Sequence, residues 1–537
     1  MKKIVYLVGI LFLTIVFCLN LFFTANLDVS EHITINTNSF IYIIGLALVG
    51  GLIYGMTKKI NEKIYKDSDF QYKKKFKKYL LIASLIIYII FNIIWIIVVR
   101  PPVVGDQIHI CNLAQTFYRG NLEEFLPNMT YAGIPLSEYM QLYHQQIPLA
   151  FVYNVFFNII HFDTLEILRV LNVIGNIFIV IALYKIVKQL DKKYKTNKIL
   201  FFTLILTFIS LPMLSTFIYG DIPSLALCLF SVYFMMKYTE TQKIIYPICS
   251  SSFTMIAYMM RMNSLIFIIA TVIYLLLNIF EHFTEKNYKN NIINIIVIIL
   301  YIIISIIPST LVKNYWLDKY NMPKDKGYPT ISYILMAMEE SPRGNGWYSE
   351  SIAEPAQKNP EKAQKEYVDR IKERIVYFSQ NIGYTFDFYT MKIASMWTEN
   401  TYSAVRSNLT QENDPLENFT VPLTFYQKVL LMVTCLCCLI NIIQNRKNLS
   451  LDIIFLVTIF IGGFAFHILW EAKSRYIIPY IVILIPLASL CINQSKINEC
   501  VSEIISKVKS TFNWKVFKEY IYYILEIKQQ EGYLGIQ

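Results

Sequence analysis

The chain has 537 residues, of which 55% are hydrophobic and only 16% are charged. This composition is too apolar for a set of soluble domains and is typical of a polytopic membrane protein. The net charge of +11 would suggest nucleic acid in a soluble protein. In a membrane protein it reflects Lys and Arg gathered in cytoplasmic loops, so no nucleic-acid partner is predicted.

Runs of about 17–25 apolar residues can cross a bilayer as helices. Such runs predict an all-α, polytopic membrane protein with about twelve transmembrane helices, at residues 4–23, 39–56, 79–99, 165–187, 198–218, 222–238, 245–260, 264–280, 291–311, 425–443, 451–470 and 476–493. The first run follows a basic start but is long for a signal peptide, so we expect a retained span. The run 147–160 is shorter, and we expect an interfacial or re-entrant helix there.

The basic loops predict the orientation in the membrane. Residues 57–78 carry nine lysines, and 184–198, 445–448 and the C-terminal tail are also positive. Twelve spans with a cytoplasmic N-terminus place all of these loops in the cytoplasm, as the positive-inside rule requires. If 147–160 were counted as a full span, the basic loop 184–198 would lie on the outer side of the membrane, against the positive-inside rule. We therefore do not count it as a span.

Five parts follow from this topology. They are two N-terminal helices with a basic loop (1–78), a membrane core (79–311) whose first outer loop is 100–164, an outer subdomain (312–424), C-terminal membrane helices (425–493) and a cytoplasmic tail (494–537). In the outer subdomain the pattern predicts an amphipathic helix at 360–378 and an apolar stretch against the membrane at 384–397.

Neither the cysteines nor the glycines carry a recognisable cofactor motif. The nine cysteines have no metal-ligand spacing and no disulfide framework. The loop "SPRGNGWYS" (341–349) lacks the spacing of a P-loop, which disfavours an enzyme that uses nucleotide-sugars. We therefore predict no cofactor and no protein metal site, while dependence on a divalent metal stays open.

Charged residues from separate helix ends reach the predicted outer face. They are Arg100, Asp106, His109, Asp221, Arg261, Glu471, Lys473 and Arg475. Such a mixture suits a reaction between a phosphate-bearing lipid and a hydroxyl acceptor, in which Arg and Lys hold the phosphate and a carboxylate takes the proton. Each charge alone is equally compatible with a boundary residue that extends to water.

Asp106 is the candidate catalytic base. Pro101 and Pro102 end the preceding span, Gly105 permits a tight approach, and the amphipathic stretch that follows predicts a helix lying on the membrane. Asp106 at the start of that helix would stay ionised. The alternative is a carboxylate that only caps the helix.

The row Tyr143, His144, Gln145 and Gln146 precedes the short apolar run 147–160. These side chains both donate and accept hydrogen bonds, which suits sugar hydroxyls or a phosphate. The alternative is an interfacial aromatic and polar belt, with His144 in a structural role.

For three further charged residues, a structural role is an alternative to a role in the site. Arg261 lies between two spans with almost no loop and binds either a phosphate or lipid headgroups. Glu471 is spaced to pair with Arg475 at i,i+4. Asp221, in "YGDIP", is suited to cap the helix that begins near Pro223.

These motifs together resemble bacterial membrane glycosyltransferases of the GT-C fold, relatives of the protein O-mannosyltransferases and the lipid A aminoarabinose transferases. The resemblance rests on "PPVVGDQIHICNLAQTFYRGN", "YHQQIPLAFVYNVFF", "FIYGDIPSLALCLFSVYFMMKY", "RMNSLIFIIA" and "WEAKSRYIIPYIVILIPLA". It covers most of residues 79–493 in motif order and hydropathy, and the first two spans look like an addition to that core.

The resemblance implies that Asp106 acts as base and that Arg261, Lys473 and Arg475 bind the lipid phosphate. It implies a polyprenyl-phosphate sugar donor, a glycan, lipid or protein acceptor in the cell envelope, and inversion at the sugar. The family's Asp-Glu pair is Asp106-Gln107 here, which leaves a second carboxylate or a metal role in doubt.

Three other classes of protein fit the same composition. One is a transporter or flippase, although transporters place charges near the bilayer midplane and often have two similar halves. Another is a polysaccharide polymerase or ligase, which also works on lipid-linked substrates at the outer face. A non-catalytic scaffold is a third alternative.

Overall fold

The computed structural model of the protein describes residues 2–66, 70–120, 130–131, 134–282, 288–409, 414–447, 449–493, 495 and 502. The proposed tail 494–537 lies outside the described residues apart from 495 and 502, and so do 67–69 of the basic loop.

Helices dominate the described part of the chain. They are α1 (Lys2–Phe22), α2 (Phe40–Lys66), α3 (Phe70–Val98), α4 (Asp106–Arg119), α5 (Leu136–Leu142), α6 (Ile147–Ile160), α7 (Leu165–Leu190), α8 (Lys198–Leu206), α9 (Ser210–Met213), α10 (Asp221–Thr241), α11 (Ile245–Met260), α12 (Leu265–His282), α13 (Tyr288–Lys319), α14 (Ile331–Met336), α15 (Glu350–Lys358), α16 (Pro360–Gln380), α17 (Ile382–Trp397), α18 (Thr420–Gln444), α19 (Leu451–Ile468), α20 (Ile478–Val482) and α21 (Ile485–Ala488). Two antiparallel strand pairs are present: β1 (Phe23–Leu27) with β2 (Ile33–Thr37), and β3 (Thr130–Tyr131) with β4 (Ile134–Pro135).

The predicted all-α polytopic membrane fold is confirmed. Among the described residues, ten helical stretches are long and apolar enough to cross a membrane. They are Lys2–Phe22, Phe40–Lys63, Lys78–Val98, Leu165–Leu190, Lys198–Thr216, Asp221–Thr241, Met262–Glu281, Asn291–Lys319, Pro415–Gln444 and Leu451–Ile468.

Two of the twelve predicted spans differ. The segment 245–260 is helix α11, but its 16 residues make a helix of only about 24 Å, shorter than the hydrocarbon core. The segment 476–493 contains the two short helices α20 and α21, each with a proline in its first turn. Proline cannot donate a backbone hydrogen bond, so each of these two prolines begins a new short helix, and the segment is not one continuous helix.

The first span is integrated into the helical bundle. Helix α1 packs against α18 and α19, and Phe12 stacks on Phe464 with ring centroids 4.3 Å apart. The amide of the buried Asn20 donates to the carbonyl of Trp397 at 3.0 Å. The N-terminal helix and the C-terminal helices therefore form one core, although the sequence suggested that this helix was an addition.

The hairpin β1–β2 connects α1 to α2 and packs on the outer subdomain. Its strands pair from Phe23↔Thr37 to Leu27↔Ile33, and both contact α17. The Ile33 amide donates to the Arg343 carbonyl at 2.9 Å. The turn of this hairpin is thereby held beside the loop 341–349.

Gly220 has a backbone conformation and close neighbours that a residue with a side chain would not tolerate. Its φ is 78°, and a Cβ there would lie 2.9 Å from a Leu149 methyl carbon and 3.2 Å from the Met260 carbonyl oxygen. We expect Gly220→Ala to lower the free energy of unfolding by about 1–3 kcal/mol, measured by thermal unfolding in detergent micelles.

Gly51→Ala is the matched control for that substitution. A Cβ at Gly51 meets nothing within 4 Å, and alanine favours a helix over glycine. Gly51→Ala should leave the unfolding temperature unchanged or raise it. Equal destabilisation by both variants would contradict the assigned strain at Gly220.

Candidate active site

Asp106 is the first residue of α4 and lies where the chain turns away from α3. The cap residue Gly105 has φ 60° and ψ −141°, a conformation that glycine adopts at little cost. The loop before it is held because the buried guanidinium of Arg169 donates to the carbonyl of Pro101 at 2.9 Å. Behind Asp106, the Gln107 side chain accepts a hydrogen bond from the Ile218 amide at 2.7 Å. The predicted amphipathic helix is present, and Gln107 anchors it to the segment before Asp221.

Two phenols donate hydrogen bonds to the Asp106 carboxylate. The hydroxyl of Tyr219 lies 2.9 Å from one oxygen and that of Tyr139 lies 3.3 Å from the other. Burial, reinforced by the charge of Asp106, raises the pKa of both tyrosines well above its usual value, so both phenols keep their protons. The Gln146 amide donates to the Tyr219 oxygen at 2.9 Å. These contacts fix the orientation of the carboxylate.

Asp106 is exposed to a cavity of about 470 Å³. The charged residues that line this cavity are Glu31, Asp106, Arg343, Glu350, Arg406, Glu471, Lys473 and Arg475. Aromatic side chains form much of the remaining wall: Tyr139, Tyr143, Phe217, Tyr219, Tyr328, Tyr333, Tyr348 and Tyr476. This mixture of charges and ring faces suits a phosphorylated sugar, because ring faces pack on sugar carbons while charges and hydroxyls bind its polar groups.

Arg475 and Arg261 share one carboxylate. The Nε of Arg261 lies 2.9 Å from one oxygen of Asp221, and the Nε of Arg475 lies 3.5 Å from the other. Arg261 also packs over the ring of Tyr219 at 4.5 Å, and Arg475 over Phe217 at 3.9 Å. Asp221 therefore orients two cations. Arg475 lines the cavity of Asp106, whereas Arg261 and Asp221 lie behind it around a smaller cavity that Arg475 also lines.

Lys473 and Glu471 face each other across the same turn. Their charged atoms are 3.8 Å apart, so Glu471 pairs with Lys473, whereas the spacing had suggested a pair with Arg475. Burial raises the pKa of Glu471 although Lys473 opposes this shift. Burial alone would lower the pKa of Lys473, but Glu31 and Glu471 raise it. Lys473 is therefore a firmly charged cation on the wall of the cavity that Asp106 also lines.

The turn that carries these residues is held from the outer subdomain. The ammonium of the fully buried Lys392 donates to the carbonyls of Ile468 and Trp470 at 2.8 and 2.9 Å. The Ala472 amide donates to the Gly346 carbonyl at 2.7 Å. The outer subdomain thus positions Lys473 and Arg475.

The cavity also receives a carboxylate that no sequence pattern indicated. Glu31, in the turn between β1 and β2, has φ 64° and forms ion pairs with Arg343 and, at 3.0 Å, with Arg406. Burial alone would raise the pKa of Glu31, but Lys473, Arg406 and Arg343 together lower it to about 2. The hairpin therefore supplies a permanent negative charge to a wall rich in cations.

The row of residues 143–146 is divided between three surroundings. Tyr143 lines the cavity of Asp106, and its hydroxyl accepts a hydrogen bond from the Gln357 amide at 2.7 Å. Gln146 contacts Tyr219, as described above. His144 and Gln145 line a separate, neighbouring cavity. The four residues therefore do not form one binding surface.

One protein-family model matches part of the chain. The sequence profile described as dolichyl-phosphate-mannose-protein mannosyltransferase matches residues 147–308. The matched segment contains Asp221 and Arg261, while Asp106, Lys473 and Arg475 lie outside it. No curated protein matches the chain. With the helical fold, the match supports a GT-C-like membrane glycosyltransferase.

Proposed function

We propose that this membrane glycosyltransferase moves a sugar from a polyprenyl-phosphate donor to a hydroxyl group of a cell-envelope glycan, lipid or protein. Asp106 acts as the base. The observation that carries the proposal is the exposed carboxylate of Asp106 on the wall of a cavity that Lys473 and Arg475 also line. The basic loops predict that both termini are cytoplasmic and that this cavity opens on the outer side.

The chemical step is one displacement at the anomeric carbon. Asp106 accepts the proton of the acceptor hydroxyl while that oxygen forms a bond to the anomeric carbon. The bond from that carbon to the phosphate oxygen breaks, and the lipid phosphate leaves with the electron pair. A single displacement from the opposite face inverts the configuration. Tyr139 and Tyr219 hold the Asp106 carboxylate in position through their hydrogen bonds.

Lys473 and Arg475 are the proposed ligands of the departing phosphate. Both are paired with a carboxylate at a distance longer than a hydrogen bond, 3.8 Å to Glu471 and 3.5 Å to Asp221. The Nε of Arg475 has no hydrogen-bond partner among the described residues. Both cations therefore keep donors for a phosphate that gains charge as the bond breaks.

Arg261 has a supporting part in this proposal. Its Nε is bonded to Asp221 at 2.9 Å and its guanidinium packs on Tyr219, so it orients the carboxylate that faces Arg475. In the described part of the chain, no group of three or more His, Cys, Asp or Glu side chains could hold a metal ion.

The experiment is a transfer assay with the purified protein. Polyprenyl-phosphate hexoses, beginning with the mannose form, are incubated with the enzyme and a cell-envelope extract, and release of polyprenyl phosphate is measured. We expect release that depends on the protein and the extract, with the sugar recovered in covalent linkage. A transporter would leave every donor intact, and that outcome would contradict the proposal.

A further inference from the structure

A second cavity, of about 220 Å³, adjoins the cavity of Asp106. The two cavities share Tyr328 and Tyr333 as lining residues. Helix α13 forms one wall of the second cavity with Ser309, Thr310 and Lys313, and the segment 144–148 forms another. This space takes no part in the reaction described above.

Among the residues that the structure describes, Lys313 is the only cation that lines the second cavity, and no carboxylate lines it. In the described part of the chain, no ion pair involves Lys313, whereas Lys473 and Arg475 each face a carboxylate. His144 adds no positive charge near neutral pH, because burial, with a smaller effect of Lys313, lowers its pKa to about 4. The cavity therefore has an uncompensated positive charge.

The cavity also presents hydrogen-bonding groups around that charge. The hydroxyls of Ser309 and Thr310 and the amide of Gln145 line it. The Nδ1 of His144 is buried and has no hydrogen-bond partner among the described residues. Its ring is fixed against Gly327, where an added Cβ would lie 1.9 Å from a ring carbon. A cation surrounded by neutral polar groups is an arrangement that binds a phosphate.

The position of the cavity favours a ligand from the membrane. Lys313 belongs to the span Asn291–Lys319 and lies near its end. Large apolar side chains beside it are exposed, Leu311 to 61% and Met262 to 53%. Tyr258 and Trp470 line the cavity, and such aromatic residues are typical of the interface between lipid tails and water.

We propose that this second cavity binds the phosphate group of a membrane lipid, with Lys313 as its cationic ligand. The lipid is a polyprenyl phosphate or a glycerophospholipid, which share this chemistry. Lys313 is distinct from the cations assigned to the departing phosphate, so the proposal stands apart from the transfer reaction and predicts a second bound lipid.

Native mass spectrometry of the purified protein tests the proposal by counting bound lipids. Polyprenyl phosphate, phosphatidylglycerol and inorganic phosphate are titrated separately. We expect two bound polyprenyl phosphates in the wild-type protein, and Lys313→Gln should weaken the binding of one of them at least tenfold. Arg475→Gln should weaken the other. Phosphatidylglycerol bound in the Lys313-dependent position would identify a glycerophospholipid as a ligand, and its exclusion would identify the polyprenyl carrier.

Lys319→Gln is the matched control, because Lys319 is on the same helix but does not line the cavity. It should bind both lipids as the wild type does. If Lys313→Gln fails to fold, Ser309→Ala with Thr310→Val removes two of the hydroxyls and should weaken the same lipid severalfold. Wild-type binding by Lys313→Gln, or by the Ser309→Ala/Thr310→Val variant if Lys313→Gln does not fold, overturns the proposal. Displacement of the lipid by an equal concentration of inorganic phosphate overturns it too.

Discussion

Asp106→Asn is expected to lower the rate of sugar transfer by about 10²–10⁴-fold, the usual contribution of a general base. The amide has nearly the shape of the carboxylate and its oxygen still accepts a hydrogen bond from Tyr219, but it cannot take a proton from the acceptor. Folding should be unaffected because Asp106 is exposed to the cavity. The measurement is release of polyprenyl phosphate under single-turnover conditions, with the unfolding temperature recorded in parallel.

Two further variants make this result specific. Asp163 belongs to the same outer loop and pairs with Arg119 at 2.6 Å. It does not line the cavity, so Asp163→Asn should keep wild-type transfer. Glu471 brings a second carboxyl group to the cavity, and Glu471→Gln should retain more activity than Asp106→Asn. Undiminished transfer by Asp106→Asn, or a larger loss with Glu471→Gln, would remove Asp106 from the role of base.

Hydropathy was sufficient to predict most of the membrane helices. Burial in lipid requires a continuous apolar run with all backbone groups bonded within the helix, and that requirement is local in sequence. Two of the predicted segments are not single long helices: α11 has 16 residues, and Pro479 and Pro486 begin separate short helices. The position of Asp106 at the start of a helix could be predicted because prolines, a glycine and an amphipathic pattern surround it.

The pairing of charges could not be predicted in the same way. Asp221, Arg261 and Arg475 come from three distant helix ends, and only the packing of α10 against its neighbours brings them within 4.0 Å. The i,i+4 rule suggested Glu471 with Arg475, but it holds only in a helix, and residues 471–473 are not helical. Glu31 was missed because its two partners are more than 300 positions away.

Glu31→Gln is expected to destabilise the protein more than any other single charge removal on the hairpin. The carboxylate is only 16% exposed and pairs with Arg343 and Arg406. Lowering its pKa from 4.5 to about 2 corresponds to about 3 kcal/mol of folding free energy at neutral pH. Because the folded state has the lower pKa, this stabilisation is present above pH 4.5 and is lost as the pH falls towards 2. The difference in the free energy of unfolding between the two proteins, measured in detergent micelles from pH 7 to pH 3, should therefore narrow to about half of its neutral value.

Glu350→Gln is the control, because Glu350 pairs with the same Arg343 at 2.6 Å but is 50% exposed. An exposed ion pair contributes about 0–1 kcal/mol, so this variant should unfold almost as the wild type does at every pH. Similar effects of the two substitutions would mean that water screens Glu31 as well. A difference between Glu31→Gln and the wild type that stays constant down to pH 3 would show that the loss comes from packing of the turn rather than from charge. The predicted narrowing would instead show that the charge of Glu31, in the connection between the first two spans, stabilises the folded protein through its ion pairs with Arg343 and Arg406.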